Sequence, residues 1–405
     1  MRRLLFSLAV LALALPGASL PPAPAEARAA VQAAAPDRAR ERLNARVFDR
    51  VWNDVRRHYY DPTLNGLDWD AARETWRPQA LAATDERELY MVLGRMLSGL
   101  EDRHATAAPP ASVVNQELQR RRRPVMGLTM DAGLDGHTIR DIRPGSPADE
   151  ARLELGWRLV SVDGAPFEPD RVLEDGVPVV LGLRHPDGRY EERTLVPRLM
   201  DPVEPWRAGW ARHDVLVLTL EQFDEGLGAW VGAMLAAVPE GTRVVLDLRG
   251  NGGGRIVEAQ NVLSCFLPAG RQWAVRTSRA NSSAPMAVEP GCPPHQTPLQ
   301  VPLAVLVDRY SRSAAELTPA ALQEAGRAVI VGEPTPGSVL ISSITDLPDG
   351  GRLTLSRANI ITAGGVRLEG TGVTPDILAP TTLEDRRAGR DPTLAAAIAA
   401  LDGQD

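Results

Sequence analysis

The 405-residue sequence contains no lysine, so all 45 of its basic residues are arginine. Mechanisms that use a lysine base, a lysine Schiff base or a P-loop lysine are therefore excluded. Histidine is also scarce, and an imidazole base has only six candidates. The sequence has two cysteines, Cys265 and Cys292, which are too few for a four-cysteine zinc site. These absences narrow the chemistry before any motif is considered.

Long apolar runs and an excess of positive charge are missing as well. The formal net charge is −7, which argues against a nucleic-acid partner bound through an overall basic surface. No stretch beyond the N-terminal run approaches the roughly eighteen apolar residues that a membrane span requires. A hydrophobic fraction of 44% with 24% charged residues is typical of a globular protein. The length predicts roughly two to four domains.

The N-terminus has the features of a secretory signal peptide. A basic start is followed by the apolar run Leu4–Leu15, and Ala23-Pro24-Ala25 fits the small-residue cleavage rule. The run is too short for a membrane anchor. We therefore expect residues 1–25 to be removed and the mature chain to be exported, to the periplasm in a bacterium. In that compartment Cys265 and Cys292 form either a disulfide or two unpaired buried thiols.

The remaining sequence divides by pattern into five segments. Residues 26–45 show little periodicity and are expected to be a flexible lead-in, and residues 46–122 show helical spacing of apolar residues. Short apolar runs separated by turn residues predict a β-rich module over 123–200. Strand and helix patterns alternate over 201–385, which predicts an α/β domain with a mostly parallel sheet. Residues 386–405 are expected to form a C-terminal helix and tail.

The first constellation that suggests chemistry is a glycine run after the predicted strand Val244–Leu248. The strand leads into Asp247-Leu248-Arg249-Gly250-Asn251-Gly252-Gly253-Gly254, and a helix is predicted next. Glycines let a backbone bend and aim several N–H groups at one point, as an oxyanion requires. The sequence alone is equally compatible with a flexible loop.

The second constellation is a serine at a strand-to-helix turn. The predicted strand Leu303–Val307 runs towards Ser313, which is followed by Ala314, Ala315 and Glu316. A serine here gains from helix N–H groups as negative charge develops, and the small Ala314 leaves its approach open. The alternative is structural, because Ser-x-x-Glu is also a helix capping box.

Taken together, the motifs resemble the C-terminal processing (tail-specific) protease family of serine peptidases. The shared features are the signal peptide, the helical segment, the inserted β module, and then in order Asp-Leu-Arg-Gly-Asn-Gly-Gly, Ser-Ala-Ala-Glu-Leu, Val329–Glu333 and Glu369–Asp376. The resemblance covers nearly the whole mature chain. It implies a ClpP/crotonase-like core with Ser313 as nucleophile. It also implies an oxyanion hole formed by the Ala314 N–H and a glycine N–H, from Gly252 or Gly253.

The sequence departs from this family at the general base. Many members use a lysine 25 residues after the serine, and that position is Ser338 here. A nearby glutamine of those members is replaced by Ser342. The chain therefore uses another base, or it is a catalytically inactive peptide-binding or scaffold protein on the same fold.

A branch of the family similar to tricorn protease supplies another base. That branch combines the serine with a histidine and a glutamate, which correspond to His104 in Leu100-Glu101-Asp102-Arg103-His104 and to Glu369. A neutral imidazole accepts the serine proton, and a carboxylate orients the imidazole. The structural alternatives are a helix-end histidine and a solvated loop carboxylate. His58 is the reserve candidate for the base.

The β module resembles a PDZ domain. Met126, Gly127, Leu128 and Thr129 stand where such domains bind a terminal carboxylate. The segment after Gly164 is short, so the helix that normally walls the groove is expected to be reduced and peptide binding to be weak. The alternative is a spacer that positions the catalytic core. The resemblance as a whole predicts an exported serine peptidase that acts on polypeptides, possibly recognised at their C-termini, with no metal or organic cofactor.

Overall fold

A computed structural model describes residues 37–119, 121–133, 136–168, 171–280 and 282–403. The predicted signal peptide lies outside these residues. Among the helices of the described part of the chain, none combines the length and apolar character needed to cross a membrane.

Three helices open the described chain: α1 (Arg38–His58), α2 (Trp69–Ala82) and α3 (Glu86–Ser98). Each follows an aspartate whose carboxylate accepts a first-turn backbone N–H. Their buried faces form one apolar cluster, in which Trp52 and Trp69 each donate an indole N–H to the other's backbone carbonyl. A short strand β1 (Thr106–Ala108) and helix α4 (Pro110–Gln119) follow.

The flexible lead-in predicted over 26–45 is wrong for its second part. Helix α1 begins at Arg38, because Asp37 caps it and Asn44 anchors it. Asn44 is fully buried and donates through Nδ2 to the carbonyls of Ala80 and Ala83, at 3.0 and 2.9 Å. These contacts join α1 to the end of α2, and a local sequence pattern of alanine and arginine does not indicate them.

The β-rich module is present where it was expected. Its five-strand antiparallel path runs in the order β3–β4–β5–β7–β8, and β3 lies at an edge. A sixth short strand pairs with β5, and β2 pairs with β9 as a separate ribbon. The elements are β2 (Arg123–Val125), β3 (Leu128–Gly133), β4 (Gly136–Ile142), α5 (Pro147–Glu150), β5 (Arg158–Val162), β6 (Ala165–Pro166), β7 (Val179–Arg184), β8 (Tyr190–Leu195) and β9 (Arg198–Met200).

The part after the β module is an α/β domain built on a six-stranded sheet. The sheet order is β10–β11–β12–β15–β16–β19, and every pair except β10–β11 is parallel. Its apolar strands are buried by helices on both faces, as is usual for parallel sheets. The elements up to the third parallel strand are β10 (Trp206–Arg212), β11 (Val215–Leu220), α6 (Leu227–Ala236), β12 (Arg243–Asp247), α7 (Ile256–Ser264), β13 (Gln272–Ser278), β14 (Ser283–Ala287) and β15 (Leu303–Val307).

A second sheet joins the N-terminal helices to this domain. Strand β18 pairs with β1 on one side and β13 on the other, and β17 also pairs with β18. The stretch 268–300, which its Pro and Ser content suggests is a surface excursion, therefore contributes two strands to this sheet. The remaining elements are α8 (Ala314–Glu324), β16 (Val329–Gly332), β17 (Ile341–Asp346), β18 (Arg352–Thr362), β19 (Ile377–Leu378), α9 (Leu383–Arg387) and α10 (Pro392–Asp402).

Candidate active site

Ser313 lies at the turn between β15 and α8, in a backbone conformation that few residues with a Cβ adopt. Its φ is 55° and its ψ is −118°. Its N–H donates to the carbonyl of Ser338 at 2.8 Å and to Glu316 Oε2 at 3.1 Å. These bonds hold a conformation that costs about 1–3 kcal/mol, and strain of this kind concentrates at functional sites.

Glu316 is more than the helix cap that its spacing indicates. Its side chain is fully buried. Besides the Ser313 N–H, the carboxylate accepts hydrogen bonds from Thr335 Oγ1 at 2.6 Å, Gly337 N–H at 2.7 Å and Ser338 N–H at 2.8 Å. One buried carboxylate therefore fixes both the serine and the segment 335–338 that crosses beside it. The sequence signal, Ser-x-x-Glu, was visible, but its long-range partners were not.

The glycine loop packs directly against the serine. A Cβ placed on Gly253 would lie 2.7 Å from Ser313 Cβ and 2.8 Å from the carbonyl oxygen of Arg312, and the φ of Gly253 is +97°. Only glycine fits such a position without displacing the nucleophile. The Arg312 N–H donates to the carbonyl of Asn251 at 2.9 Å, which fastens the two loops together.

The N–H groups proposed for an oxyanion hole differ in availability. The Gly253 N–H donates to Asn251 Oδ1 at 2.7 Å. Among the described residues we find no hydrogen-bond acceptor for the N–H of Gly252 or of Ala314. Gly252 is exposed, whereas Ala314 is fully buried at the start of α8. The N–H groups of Gly252, in the glycine loop, and of Ala314, next to Ser313, are thus available as donors. The Gly253 N–H is available only if its hydrogen bond to Asn251 Oδ1 is shared or broken.

His104 lies in the loop between α3 and β1, beside a buried carboxylate. Its Nδ1 is 3.8 Å from Asp102 Oδ1, and its backbone N–H donates to the same oxygen at 2.8 Å. The histidine side chain is 18% exposed and that of Asp102 only 1%. Between them, Arg103 donates to the carbonyl of Pro336 at 3.2 Å, which fastens this loop to the segment that crosses beside Ser313.

Glu369 faces the same segment from another loop. Its Oε2 accepts the N–H of Val339 at 2.8 Å. Burial raises the pKa of Glu369, while the Val339 N–H and the charge of His104 oppose that rise and the charge of Asp102 adds to it. The carboxylate is therefore within electrostatic range of both His104 and Asp102.

Residues 335–340, which we call the bridging segment, contact the loops that carry the three predicted catalytic residues. The Ser313 N–H, the Arg103 side chain of the His104 loop and the Glu369 carboxylate each hydrogen-bond to a residue of this segment. Ser338, at the position of the missing lysine, belongs to it and is 3% exposed, and its hydroxyl has no hydrogen-bond partner within the described part of the chain. The reserve histidine, His58, is elsewhere: it ends α1, is 50% exposed and lies 3.7 Å from Asp54.

Met126, Gly127, Leu128 and Thr129 line a groove of about 830 Å³ in the β module. Apolar side chains form part of its lining, and arginines from several elements approach it; they are Arg121, Arg123, Arg143 and Arg171. Burial lowers the pKa of Arg123, which is partly buried in β2. In the described residues of 167–178, on the facing side, no helix is present.

Two further features bear on the predicted chemistry. Cys265 and Cys292 are joined by a disulfide with their Cα atoms 5.1 Å apart. No group of three or more histidine, cysteine, aspartate or glutamate side chains in the described ranges is arranged to hold a metal ion.

Comparisons with known proteins agree with this fold. Residues 214–379 match peptidase family S41, and residues 42–98 match the tricorn protease C1 domain. The chain is 27% identical over 377 residues to the chloroplastic C-terminal processing peptidase of Tetradesmus obliquus, covering 84% of this chain and 79% of that one. It is 33% identical over 287 residues to a carboxy-terminal-processing protease of Bartonella bacilliformis, covering 66% and 64%.

A solved structure supports the same fold. The photosystem II D1 C-terminal processing protease superimposes with a TM-score of 0.62 at 24% identity, covering 87% of this chain and 98% of that one. The fold and the serine site together define a serine-type peptidase. Residues 214–379 carry a peptidase family S41 domain, the matched relatives are C-terminal processing proteases, and the expected resemblance and α/β fold are confirmed.

Proposed function

We propose that this peptidase cleaves peptide bonds with Ser313 as nucleophile, His104 as base and Glu369 as a supporting carboxylate. The observation that carries the proposal is the bridging segment, which hydrogen-bonds to the serine, to the histidine loop and to the glutamate. Three residues distant in sequence thus lie on loops fastened to one short stretch of backbone. A serine, an imidazole and a carboxylate are the components of nucleophilic acyl transfer.

In the proposed reaction, Ser313 Oγ attacks the carbonyl carbon of the scissile peptide while His104 takes the hydroxyl proton. The carbonyl oxygen becomes an oxyanion and accepts the Ala314 N–H together with a glycine N–H, from Gly252 or Gly253. His104 then returns the proton to the departing amine, which leaves an acyl ester on Ser313. Water hydrolyses the ester by the same proton transfers in reverse order.

The absence of lysine makes histidine the natural base. Arginine stays protonated, and an isolated carboxylate is a weak base towards a serine hydroxyl. Within the site, His104 is the imidazole whose loop hydrogen-bonds to the bridging segment. Its 18% exposure leaves part of the ring open to an incoming group. His104 therefore has both the chemistry and the access that a base requires.

A fluorophosphonate probe and peptide hydrolysis test this assignment. The probe should label the chain at Ser313, and Ser313→Ala should remove both labelling and hydrolysis. His104→Ala should lose hydrolysis as completely, and the double variant should be no worse, because the two residues act as one unit. His58→Ala is the matched control and should keep normal turnover.

Two outcomes would contradict the assignment. If folded His104→Ala turns over normally while Ser313→Ala is inactive, another group is the base. If the folded wild-type chain is neither labelled nor active, the protein is a peptide-binding scaffold on a peptidase fold. Circular dichroism of each variant separates a loss of chemistry from a loss of structure.

The groove of the β module supports a proposal about how substrate is recognised. Strand β3 lies at the edge of its sheet, so an extended peptide can add to it as a further strand. The arginines that line the groove suit a C-terminal carboxylate. We infer that the PDZ-like module binds polypeptide C-termini, weakly, because the facing wall is loop rather than helix.

Export is the remaining part of the proposal. The basic and apolar start of the sequence carries it, and the Cys265–Cys292 disulfide supports an oxidising compartment such as the bacterial periplasm. Because the chain has no lysine, an amine-reactive reagent labels only its N-terminal amino group. Mass spectrometry of the labelled protein should place the mature start near Glu26. An intact Met1 in a cytoplasmic pool would contradict export.

A further inference from the structure

Asp102 has no role in the catalytic assignment proposed above. Its carboxylate nevertheless lies beside the His104 ring. Its side chain is 1% exposed, and Oδ2 has no hydrogen-bond partner among the residues that the structure describes. The other oxygen, Oδ1, is 3.8 Å from His104 Nδ1, a buried ring nitrogen that also has no partner among those residues. A buried carboxylate and a buried imidazole nitrogen with unused hydrogen-bonding capacity therefore lie next to each other, which is costly for both groups.

The backbone around Asp102 restricts how this pair can move. Glu101, the residue before it, has a φ of 52°, and Oδ1 of Asp102 accepts the His104 N–H within the same tight turn. On the other side, Arg103 is bonded to the bridging segment. The carboxylate is therefore held against the imidazole, and a small side-chain rotation closes the gap to a hydrogen bond.

The negative charge of Asp102 acts on several titratable groups packed around it. Burial, followed by the charge of Asp102, raises the pKa of the fully buried Tyr59. Asp102 also contributes to the raised pKa of Tyr60 and of Glu369. The Tyr59 hydroxyl accepts a hydrogen bond from Asn65 Nδ2 at 3.2 Å, which anchors one wall of this pocket.

We propose that Asp102 is a positioning residue for His104: it accepts the Nδ1 proton and thereby turns Nε2 towards Ser313. The inference rests on the proposed role of His104 as base. It gives the two carboxylates separate tasks. Asp102 fixes the tautomer and stabilises the imidazolium, whereas Glu369 is committed to the Val339 N–H and acts on the histidine through its charge.

The test compares Asp102→Asn with Glu101→Gln in the full chain. Glu101 is the exposed carboxylate next to Asp102, so its variant removes the same charge from the same loop. We expect Asp102→Asn to lower kcat roughly 100-fold with little change in KM, because an amide favours the wrong tautomer. The acidic limb of the kcat/KM profile should also move to lower pH, because the imidazolium has lost its counter-charge. Asp102→Glu should restore part of kcat, and Glu101→Gln should match the wild type.

A proton NMR measurement on the wild-type chain covers the case in which Asp102→Asn does not fold. A His104 Hδ1 bonded to a carboxylate should appear far downfield and disappear in His104→Ala; no such signal would overturn the proposal. The proposal would also be overturned if Asp102→Asn and Glu101→Gln had the same kcat and the same acidic limb of the kcat/KM profile. If that result accompanies an inactive His104→Ala, only the role of Asp102 is lost. If His104→Ala stays active, the proposed base itself is wrong.

Discussion

At the scale of single residues, the proposed nucleophile Ser313 depends on neighbours that hold an unfavourable backbone conformation. Ser313 has a positive φ, and Gly253 approaches so closely that its missing Cβ is part of the site. Neither feature follows from the hydrophobic pattern of strand and helix. Both features help to present a hydroxyl and free N–H groups at one point. The close approach of Gly253 can be tested by adding a single methyl group.

Gly253→Ala should destabilise the fold and abolish hydrolysis. The new Cβ would meet Ser313 Cβ at 2.7 Å, and alanine would have to adopt a φ of +97°. We expect a loss of about 1–3 kcal/mol in the free energy of unfolding. Gly252→Ala is the stability control, because a Cβ there meets no heavy atom within 4 Å. Urea unfolding measures both, and equal stability of the two variants would contradict the packing described here.

Glu369→Gln should show that the buried, ionised carboxylate of Glu369 lowers the free energy of unfolding. Burial raises its pKa, so between the unfolded and folded pKa values the native chain holds more protons than the unfolded chain. The contribution of Glu369 to stability is therefore present below the unfolded pKa and lost as pH rises through the folded one. Relative to the wild type, Glu369→Gln should gain stability between about pH 4 and about pH 7.

Urea unfolding of both proteins at the two pH values measures that gain, and a difference independent of pH would contradict the raised pKa. Hydrolysis should fall less in Glu369→Gln than in His104→Ala, by about 10- to 100-fold, since the base itself remains.

At the scale of elements, the sequence pattern indicates the buried parallel strands but not which distant strands pair with each other. The predicted strand Leu303–Val307 has the observed bounds of β15, because strands buried on both faces are apolar throughout. Strands β13 and β14 were missed in a stretch rich in Pro and Ser. The partner of β13 is β18, about 80 residues away, and no local pattern shows such a pairing.

The same limit applies to the site. Ser313, His104 and Glu369 are proposed because their motifs resemble those of a family, and each motif is short and local. Glu316 and Asp102 lie within the same motifs, but their roles depend on contacts that folding creates. The partners of Glu316 begin 19 residues downstream at Thr335, and the unpaired atoms of Asp102 are evident only once its burial is known.

The disulfide connects the end of α7 to the loop after β14, and its removal should lower stability. The two cysteines are 27 residues apart, for which loop entropy predicts about 3 kcal/mol. The variant Cys265→Ala with Cys292→Ala is preferred to serine, because both positions are buried and a hydroxyl would lack a partner. Urea unfolding of this variant against the oxidised wild type measures the loss. Two titrating thiols in denatured, unreduced protein would contradict the pairing.

At the scale of the whole molecule, arginine side chains join segments that are far apart in the sequence. Arg249, next to the glycine loop, binds Asp247 and also Asp391 before α10, at 2.8 Å. Burial of Asp391 works against ionisation, but the Arg249 hydrogen bond and charge hold its pKa below the usual range. Arginine does not lose its proton at any pH a protein survives, so these pairs persist where lysine would not.

A contact of Tyr310 joins the β module to the loop that carries Ser313. The hydroxyl of Tyr310, three residues before Ser313, donates to Asp131 of β3. The guanidinium groups of Arg140 and Arg309 lie 4.3 and 4.9 Å from the centre of its ring. The edge strand that borders the groove therefore also contacts the loop that carries the proposed nucleophile. This contact would couple a peptide bound in the groove to the proposed site of cleavage.

Peptide binding in the groove should be weak, require a free carboxylate and depend on Arg123. Calorimetry on the full chain, carrying Ser313→Ala to prevent cleavage, should give micromolar or weaker affinity for short peptides with apolar C-termini, because the described part of the facing wall, which includes Phe167 and Leu173, is loop rather than helix. Amidating the peptide removes the charge that faces the partly buried Arg123, and Arg123→Gln removes the counter-charge of the peptide carboxylate, so each change should weaken binding about tenfold. Arg122→Gln, an exposed arginine 3.8 Å from Asp201, is the matched control and should bind normally. Nanomolar affinity that amidation abolishes would contradict the expected weak binding, and equal losses in the two arginine variants would reduce Arg123 to a general charge effect.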